Sequence, residues 1–446
     1  MNDMYSPQIE PIAAADGEEP RLVWPVIRLA RALVPLLARA MKFGKARILS
    51  QERLFDAWDA FTGGKSRLIL GFRHAYGDDP QLMVYLLHLV LPRAARKAGR
   101  RLSGLTHAHF VYGSEVPLWS HPFVGWLLPR VGAVPVNHAN MDSKGMNRIR
   151  SLVSNGTFPL ALAPEGHVTY GSERIASLET GTARFGFWAT EDLARQGRGE
   201  TVTFLPLSFH YRYGRGIEKA LSRFLDRLGR DAGIGGKLPR DDIHARIAEI
   251  SSAILARLSA FYSDISGERV EASQAAVLEA SLRAAERISG VRANEGDGSM
   301  TRLYRVRNAC WGKLFRKDIA GTGGLERALA GRACGEAWYA MRHMETAEML
   351  TYVDLERAES GLAIEQYVEI AVNLDDLLSR VEGGTLRDRS NAFRKYPVIV
   401  PGKPIVINDY LDLWKRDKKA ALSEVTEAMR SEYERCVGEY RAEYRP

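Results

Sequence analysis

The sequence has few cysteines and no long uncharged hydrophobic run. Its 446 residues include three cysteines, far apart in the chain, with no Cys-x-x-Cys pair: Cys310, Cys334 and Cys436. This spacing argues against a disulfide framework or a structural zinc site and is typical of reduced cysteines in a cytoplasmic protein. No stretch reaches the ~18 apolar residues of a membrane-spanning helix. The polar start of the chain has no secretory signal, and we expect residues 1–21 to form a mobile tail.

The composition is that of a globular protein with an excess of basic residues over acidic ones. Hydrophobic residues make up 46% of the chain, and 62 Lys and Arg against 54 Asp and Glu give a net charge of +8. Domain sizes of ~100–200 residues predict two or three units, or one domain with a large insertion. The positive charge favours anionic partners such as lipid headgroups or phosphorylated substrates. The sequence contains no recognisable nucleic-acid-binding module, so we expect no nucleic-acid partner.

Residues 22–60 are predicted to form an amphipathic helical segment. Between Leu22 and Ile48 apolar residues dominate, and basic residues are interleaved without an acidic partner: Arg28, Arg31, Arg39, Lys42, Lys45 and Arg47. Such a segment can lie in a membrane interface with its cations among anionic headgroups. The alternative is a helix packed on the domain, with arginine stems covering apolar surface.

The rest of the chain divides into an α/β core and a helical insertion. In residues 61–215 short apolar strands alternate with helical or loop-rich stretches: Arg67–Leu70, Ala108–Val111, Val134–Val136, Leu160–Leu162 and Val202–Pro206. This alternation predicts an α/β fold with a mainly parallel central sheet flanked by helices. In residues 216–392, apolar residues at helical spacing predict a large helical insertion. Residues 393–446 return to strand-like and then helical patterns, and we expect them to complete the core.

The stretch GFRHAYGDDPQL, residues 71–82, carries groups suited to proton transfer directly after a hydrophobic strand. Histidine exchanges a proton near neutral pH, and a carboxylate on its second ring nitrogen fixes its tautomer and stabilises its charged form. His74 and Asp79 supply both groups if a turn brings them together. The alternative is that Asp78 or Asp79 only caps a helix that begins near Pro80.

Three later stretches also lead from apolar sequence towards a site. Gly113–His138 is apolar and aromatic, and it predicts an acyl channel, a membrane-facing surface or part of the core. Leu160–Gly166 ends a strand and presents Glu165, for which the alternative is a turn with a solvent-facing glutamate. Val202–Ser208 is a strand that runs into a proline.

In this order the stretches resemble the glycerolipid acyltransferase family, the lysophosphatidic acid acyltransferase-like enzymes. The positions that match the family's four motifs, in order, are His74 with Asp79, Gly132–His138, Pro164–Gly166 and Phe204–Leu207. The resemblance covers about residues 60–215 and 395–445. No single motif is specific, whereas the ordered set at these separations is.

The sequence departs from the family where its members help to hold the acceptor's phosphate. Asn137 and His138 replace the usual arginine of the second motif, and His167 with Val168 replaces the Thr-Arg that usually follows Glu-Gly. The resemblance implies that Glu165 and Gly166 contribute to acceptor binding. The complete set predicted to bind substrate is Arg73, Asn137, His138, Glu165, Gly166 and His167.

The resemblance implies transfer of a fatty acyl group from acyl-CoA or acyl carrier protein to a hydroxyl of a lysophospholipid, glycerol phosphate or other lipid-like acceptor. His74 acts as the general base, and Asp79 orients it and offsets its developing charge. No Gly-x-Ser-x-Gly elbow is present, and we expect neither an acyl-enzyme nor a metal or cofactor.

The expected partners are the thioester donor, the lipid acceptor and an anionic membrane surface. The expected location is cytoplasmic, peripheral on the inner face of the cell membrane. Two alternatives stand beside acyl transfer: a thioesterase or ester hydrolase that uses the same two residues, and a non-enzymatic membrane-binding protein.

Overall fold

The structure, a computed structural model, describes residues 10–13, 19–114, 116–136, 143–236, 239, 242–316, 318–356, 361–384 and 388–445. The chain forms two compact units. The α/β unit comprises residues 17–137, 142–215 and 391–446, and the helical unit comprises residues 1–16, 138–141 and 216–390.

The strands of the described residues, in chain order, are β1 (Ile12–Ala13), β2 (Arg47–Ile48), β3 (Ser66–Phe72), β4 (His109–Gly113), β5 (Val134–Val136), β6 (Leu160–Leu162), β7 (Thr201–Tyr213), β8 (Phe315–Arg316), β9 (Lys395–Pro401) and β10 (Ile405–Val406). The α-helices of the α/β unit are α1 (Trp24–Ala40), α2 (Glu52–Thr62), α3 (Asp79–Tyr85), α4 (Leu91–Lys97), α5 (Val116–Trp119), α6 (Pro122–Arg130), α7 (Ser143–Asn155), α8 (Gly181–Arg195), α15 (Leu411–Arg416) and α16 (Lys418–Tyr444). Those of the helical unit are α9 (Ile217–Asp231), α10 (Ile243–Ser266), α11 (Gln274–Ser289), α12 (Ser299–Leu314), α13 (Gly324–Tyr352) and α14 (Ile364–Val381).

A mostly parallel sheet forms the centre of the α/β unit. Its described strands lie in the order β2-β9-β7-β3-β6-β4-β5, and β10 also pairs with β7. The β7–β9 and β7–β10 pairs are antiparallel, and the other neighbouring pairs are parallel. The predicted fold class, an α/β fold with a mainly parallel sheet and a large helical insertion, is confirmed.

Helices cover both faces of this sheet, because its central strands are apolar on both sides. On one face, here called the α3 face, α2 and α3 pack over Leu205, Leu207 and Phe209 of β7. On the other, the α16 face, α7, α8 and α16 pack over Phe204. Successive residues of a strand point to opposite faces, so Tyr211 joins Leu207 and Phe209 on the α3 face.

Strand β7 runs on through Pro206, where the sequence predicts its end. Pro206 lies in the gap between the residues that pair with β9 and those that pair with β10. Its carbonyl accepts from the Gly402 N–H at 2.7 Å, so its nitrogen faces this gap and not β3. The missing N–H therefore costs no ladder hydrogen bond, and the strand continues to Tyr213.

The helical unit is held by an apolar cluster and by half-buried ion pairs. Leu282, Val306 and Met344 belong to a core formed by α11, α12 and α13. Arg307 on α12 pairs with Glu348 on α13 at 2.6 Å. Residues 216–390 contain 25 Lys and Arg against 27 Asp and Glu, so the excess positive charge of the chain belongs to the other unit.

Helix α1 lies on the α/β unit with one face buried and one exposed. Ile27, Val34 and Ala38 are buried, and the helix packs against α3. On the opposite side Leu29 and Leu36 are each more than 60% exposed. No helix among the described residues is both long and apolar enough to cross a membrane.

Two buried histidines lie close to α1. The π-helical turn Leu86–Val90 contacts α1, and its His88 Nε2 is 3.1 Å from His107 Nδ1. His107 Nε2 donates to the Val131 carbonyl at 2.9 Å, so in the neutral ring its Nδ1 is the acceptor for His88 Nε2. Burial lowers the pKa of His88 to about 3 and that of His107 to about 4.

These lowered pKa values predict a loss of stability in acid. Below pH ~6.5 the unfolded chain binds protons that the folded histidines do not, so the unfolding free energy falls by up to about 1.4 kcal/mol per pH unit for each histidine until its folded pKa is reached. His88→Leu should reduce this slope, measured by urea unfolding between pH 6 and pH 4.5. His121→Asn, which changes an exposed histidine, should leave the slope unchanged. An unchanged slope in His88→Leu would contradict this account.

Candidate active site

The candidate site lies at the carboxyl ends of β3 and β6. These strands are parallel neighbours, so the residues that follow them meet at the same edge of the sheet. Gly71 must be a glycine, because a Cβ there would come within 2.1 Å of the Phe204 ring. The chain leaves β3 after Phe72 and presents Arg73 and His74.

His74 and Asp79 face each other across the turn between β3 and α3. His74 Nδ1 lies 3.6 Å from Asp79 Oδ2, slightly beyond a direct hydrogen bond. The His74 side chain is 17% exposed, whereas that of Asp79 is completely buried. The pair therefore has a histidine that solvent or a ligand can reach and a carboxylate that neither can reach. Such pairs often tighten only when a substrate binds.

The buried Asp79 carboxylate accepts two hydrogen bonds. The Tyr76 N–H donates to Oδ2 at 2.6 Å, and the Tyr211 hydroxyl donates to Oδ1. Burial raises the pKa of Asp79, while the contacts with His74 and Tyr211 act in the opposite direction. Asp79 is the first residue of α3, where the helix dipole also favours a negative charge.

The neighbouring Asp78 has a separate partner. Its side chain makes no capping hydrogen bond at the start of α3 and forms an ion pair with Lys395 of β9. The Lys395 ammonium also lies 5.4 Å from the centre of the Phe43 ring and 5.9 Å from that of Tyr211. The two adjacent aspartates thus differ: Asp79 faces His74, and Asp78 faces a lysine.

Arg73 and Glu165 form a completely buried ion pair. Arg73 Nε lies 3.1 Å from Glu165 Oε1, and the other guanidinium nitrogens donate to the carbonyls of Gly171, Ser172 and Arg174. Glu165 Oε2 accepts from the backbone N–H of His74 at 2.6 Å. Both residues were predicted to bind the acceptor, and in the structure their side chains contact each other and backbone groups around His74.

The other predicted substrate-binding residues are distributed around the same edge or fall outside the description. Gly166 is exposed and adopts a left-handed φ of 73°, as the tight turn after Glu165 requires. His167 is half-buried beside it. Asn137 and His138 lie outside the described residues.

Residues on β7 and β9 join the site without a clear sequence signal. In the sequence, Tyr211 has the features of an ordinary core residue in an alternating strand. Lys395 is more than 300 residues from Asp78 in sequence. Thr169 follows the Pro-Glu-Gly turn, and its N–H donates to the His74 carbonyl at 2.8 Å. The described residues include no group of three or more His, Cys, Asp or Glu that could hold a metal ion.

The geometry supplies a partly accessible histidine backed by a buried carboxylate, which is suited to general-base chemistry. Comparisons of the sequence with models of protein families and with curated proteins gave no match. The resemblance to glycerolipid acyltransferases therefore depends on the motifs in the chain.

The Arg73–Glu165 contacts predict a structural phenotype. Glu165→Gln leaves the buried guanidinium without a counter-charge and should lower the unfolding free energy by about 3–5 kcal/mol in urea unfolding. The matched control is Glu443→Gln, which breaks the exposed ion pair with Arg47 and should cost less than about 1 kcal/mol. A role limited to acceptor binding predicts instead that both variants unfold like the unmodified protein.

Proposed function

We propose that the protein is an O-acyltransferase that moves a fatty acyl group from an acyl thioester, carried by coenzyme A or acyl carrier protein, to a hydroxyl of a lipid-like acceptor. The observation that carries this proposal is the accessible His74 held 3.6 Å from the buried carboxylate of Asp79. It is supported by the ordered motifs that resemble the glycerolipid acyltransferases. The turn Pro164–Gly166 adds support, because Glu165 from that turn binds the backbone of His74.

In the proposed reaction His74 takes the proton of the acceptor hydroxyl while the hydroxyl oxygen attacks the thioester carbonyl. The new C–O bond forms, the C–S bond breaks, and the proton passes from His74 to the departing thiolate. Asp79 stabilises the imidazolium that exists between these two proton transfers. The reaction needs neither a covalent acyl-enzyme nor an oxidant or reductant.

Replacement of the base tests this assignment. His74→Ala should lower kcat for acyl transfer by about 10²–10⁴-fold while the protein remains folded, because general-base catalysis supplies rate enhancements of this size. The assay incubates purified protein with a labelled acyl thioester and total membrane lipid and identifies the labelled product by mass spectrometry. His244→Gln, which changes a half-buried histidine on α10 of the helical unit, is the matched control and should retain full activity. Free fatty acid without an acylated lipid would identify a hydrolase, and retained transfer in His74→Ala would remove His74 from the mechanism.

The exposed side of α1 supports a lipid surface as the location of the acceptor. Leu29, Leu33 and Leu36 are 43–63% exposed. At 100° per residue they fall within about 60° of the helix circumference. Arg28 and Arg39 are also exposed and lie along one side of this stripe. An apolar stripe flanked by cations suits the interface of an anionic bilayer.

We propose that this leucine stripe of α1 holds the protein peripherally on an anionic membrane, the inner face of the cell membrane. The buried face of α1 packs against α3, whose first residue is Asp79. The helix that carries the leucine stripe is therefore a neighbour of the candidate site. The excess positive charge of the α/β unit would add a long-range attraction to the same lipids.

Vesicle binding tests the membrane proposal. Replacing all three leucines of the stripe with serine should reduce co-sedimentation with vesicles containing 30% phosphatidylglycerol by about tenfold or more, since each leucine contributes buried apolar area. Replacing Leu325 and Leu329, which are 77% and 57% exposed on α13, with serine provides the matched control and should leave binding unchanged. Equal losses in both variants would show that exposed leucines act without regard to location.

A further inference from the structure

The Asp79 carboxylate is completely buried, so its charged form must be stabilised by neighbouring groups in place of water. A carboxylate without water favours its protonated form, and a protonated Asp79 could not balance a charged His74. The titratable and charged groups that face Asp79 are His74, Asp78 and Tyr211, and the side chain of Tyr76 lies against Tyr211. Lys395 reaches the group through its ion pair with Asp78.

The position of Tyr211 is fixed from several sides. It lies on β7, a strand paired on both edges, with its ring 4.7 Å from that of Tyr76 and 6.4 Å from that of Phe43. Its hydroxyl donates to Asp79 Oδ1, and the Tyr76 N–H donates to Oδ2. A hydroxyl held in this way binds the charged form of the carboxylate and favours it over the neutral form.

Lys395 affects the Asp79 carboxylate indirectly, through Asp78. Asp78 is a neighbouring like charge that raises the pKa of Asp79 and so disfavours its ionisation. The ion pair with Lys395 neutralises Asp78 and so reduces this repulsion.

We propose that Tyr211 is a positioning residue for the His74–Asp79 pair: its hydroxyl holds the Asp79 carboxylate charged and aimed at His74, and Lys395 assists by neutralising Asp78. This inference rests on the proposed acyl transfer for its kinetic consequence. Its structural content is the charge state and orientation of Asp79, and the charge state can be measured without any substrate.

The test is Tyr211→Phe, which removes one oxygen and keeps the aromatic contacts. In protein labelled with ¹³C at the aspartate side-chain carboxyl, the Asp79 resonance is assigned by its absence from Asp79→Asn. The titration midpoint of Asp79 should lie about one pH unit higher in Tyr211→Phe, since a donor to the charged form is lost. Tyr433→Phe is the matched control. Its hydroxyl is also buried and donates to the Gly71 carbonyl at 2.8 Å, so its loss should leave the midpoint unchanged.

The pH profile of acyl transfer supplies the kinetic readout. Because Asp79 stays protonated to higher pH in Tyr211→Phe, the acid limb of kcat/KM should move to higher pH. Below both midpoints the loss should approach about tenfold, the change in the ionised fraction that a one-unit shift produces, and it should vanish well above them. A purely structural role for the hydroxyl would reduce transfer by the same factor at every pH.

Lys395→Met should move the Asp79 midpoint in the same direction, and addition of Asp78→Asn to it should return the midpoint towards that of the unmodified protein. An unchanged midpoint in folded Tyr211→Phe overturns the proposal. A shifted midpoint in a protein that transfers no acyl group would sustain the role of Tyr211 and remove the proposed function.

Discussion

The buried contact between Arg73 and Glu165 is the interaction on which the candidate site depends. Two full charges without water are expensive, and the cost is offset only if their hydrogen bonds are nearly complete. Here the guanidinium binds Glu165 and three backbone carbonyls, and the carboxylate binds Arg73 and the His74 N–H. The pair therefore joins the ends of β3 and β6 to the loop at residues 171–174 and sets the backbone from which the His74 side chain projects.

The sequence was sufficient for the fold class because the central strands are buried on both faces. Val134–Val136 and Leu160–Leu162 have the predicted bounds, since short apolar runs between polar stretches have few alternatives in a parallel sheet. Strand β7 differs: Pro206 indicates an end, and only the gap between β9 and β10 explains why the strand continues. That gap is a property of the assembled sheet and has no signature near Pro206.

The sequence was sufficient to predict part of the site. His74 and Asp79 are five positions apart, so one turn determines their approach. Tyr211 and Lys395 reach the two aspartates only through the packing of α3 over β7 and the pairing of β7 with β9. Arg73 and Glu165 carried a usable signal, because both follow neighbouring parallel strands at their carboxyl ends. In a sequence, a charged pair of this kind is compatible with a ligand-binding site and with a buried structural ion pair. Only the burial of the two side chains in the structure distinguishes these interpretations.

The pairing of β7 with β9 has a consequence for the order of folding. Tyr213, at the end of β7, is paired with Lys395, at the start of β9, so the residues between them form a loop whose ends are neighbours. Closing a flexible loop of ~180 residues costs about 3 kcal/mol more than closing one of ~6 residues, because the entropy grows with the logarithm of length. A helical unit that folds first shortens this effective loop. We infer that Lys395 then reaches Asp78 late in folding, and that the charge balance beside Asp79 is completed only after helices α9 to α14 have formed.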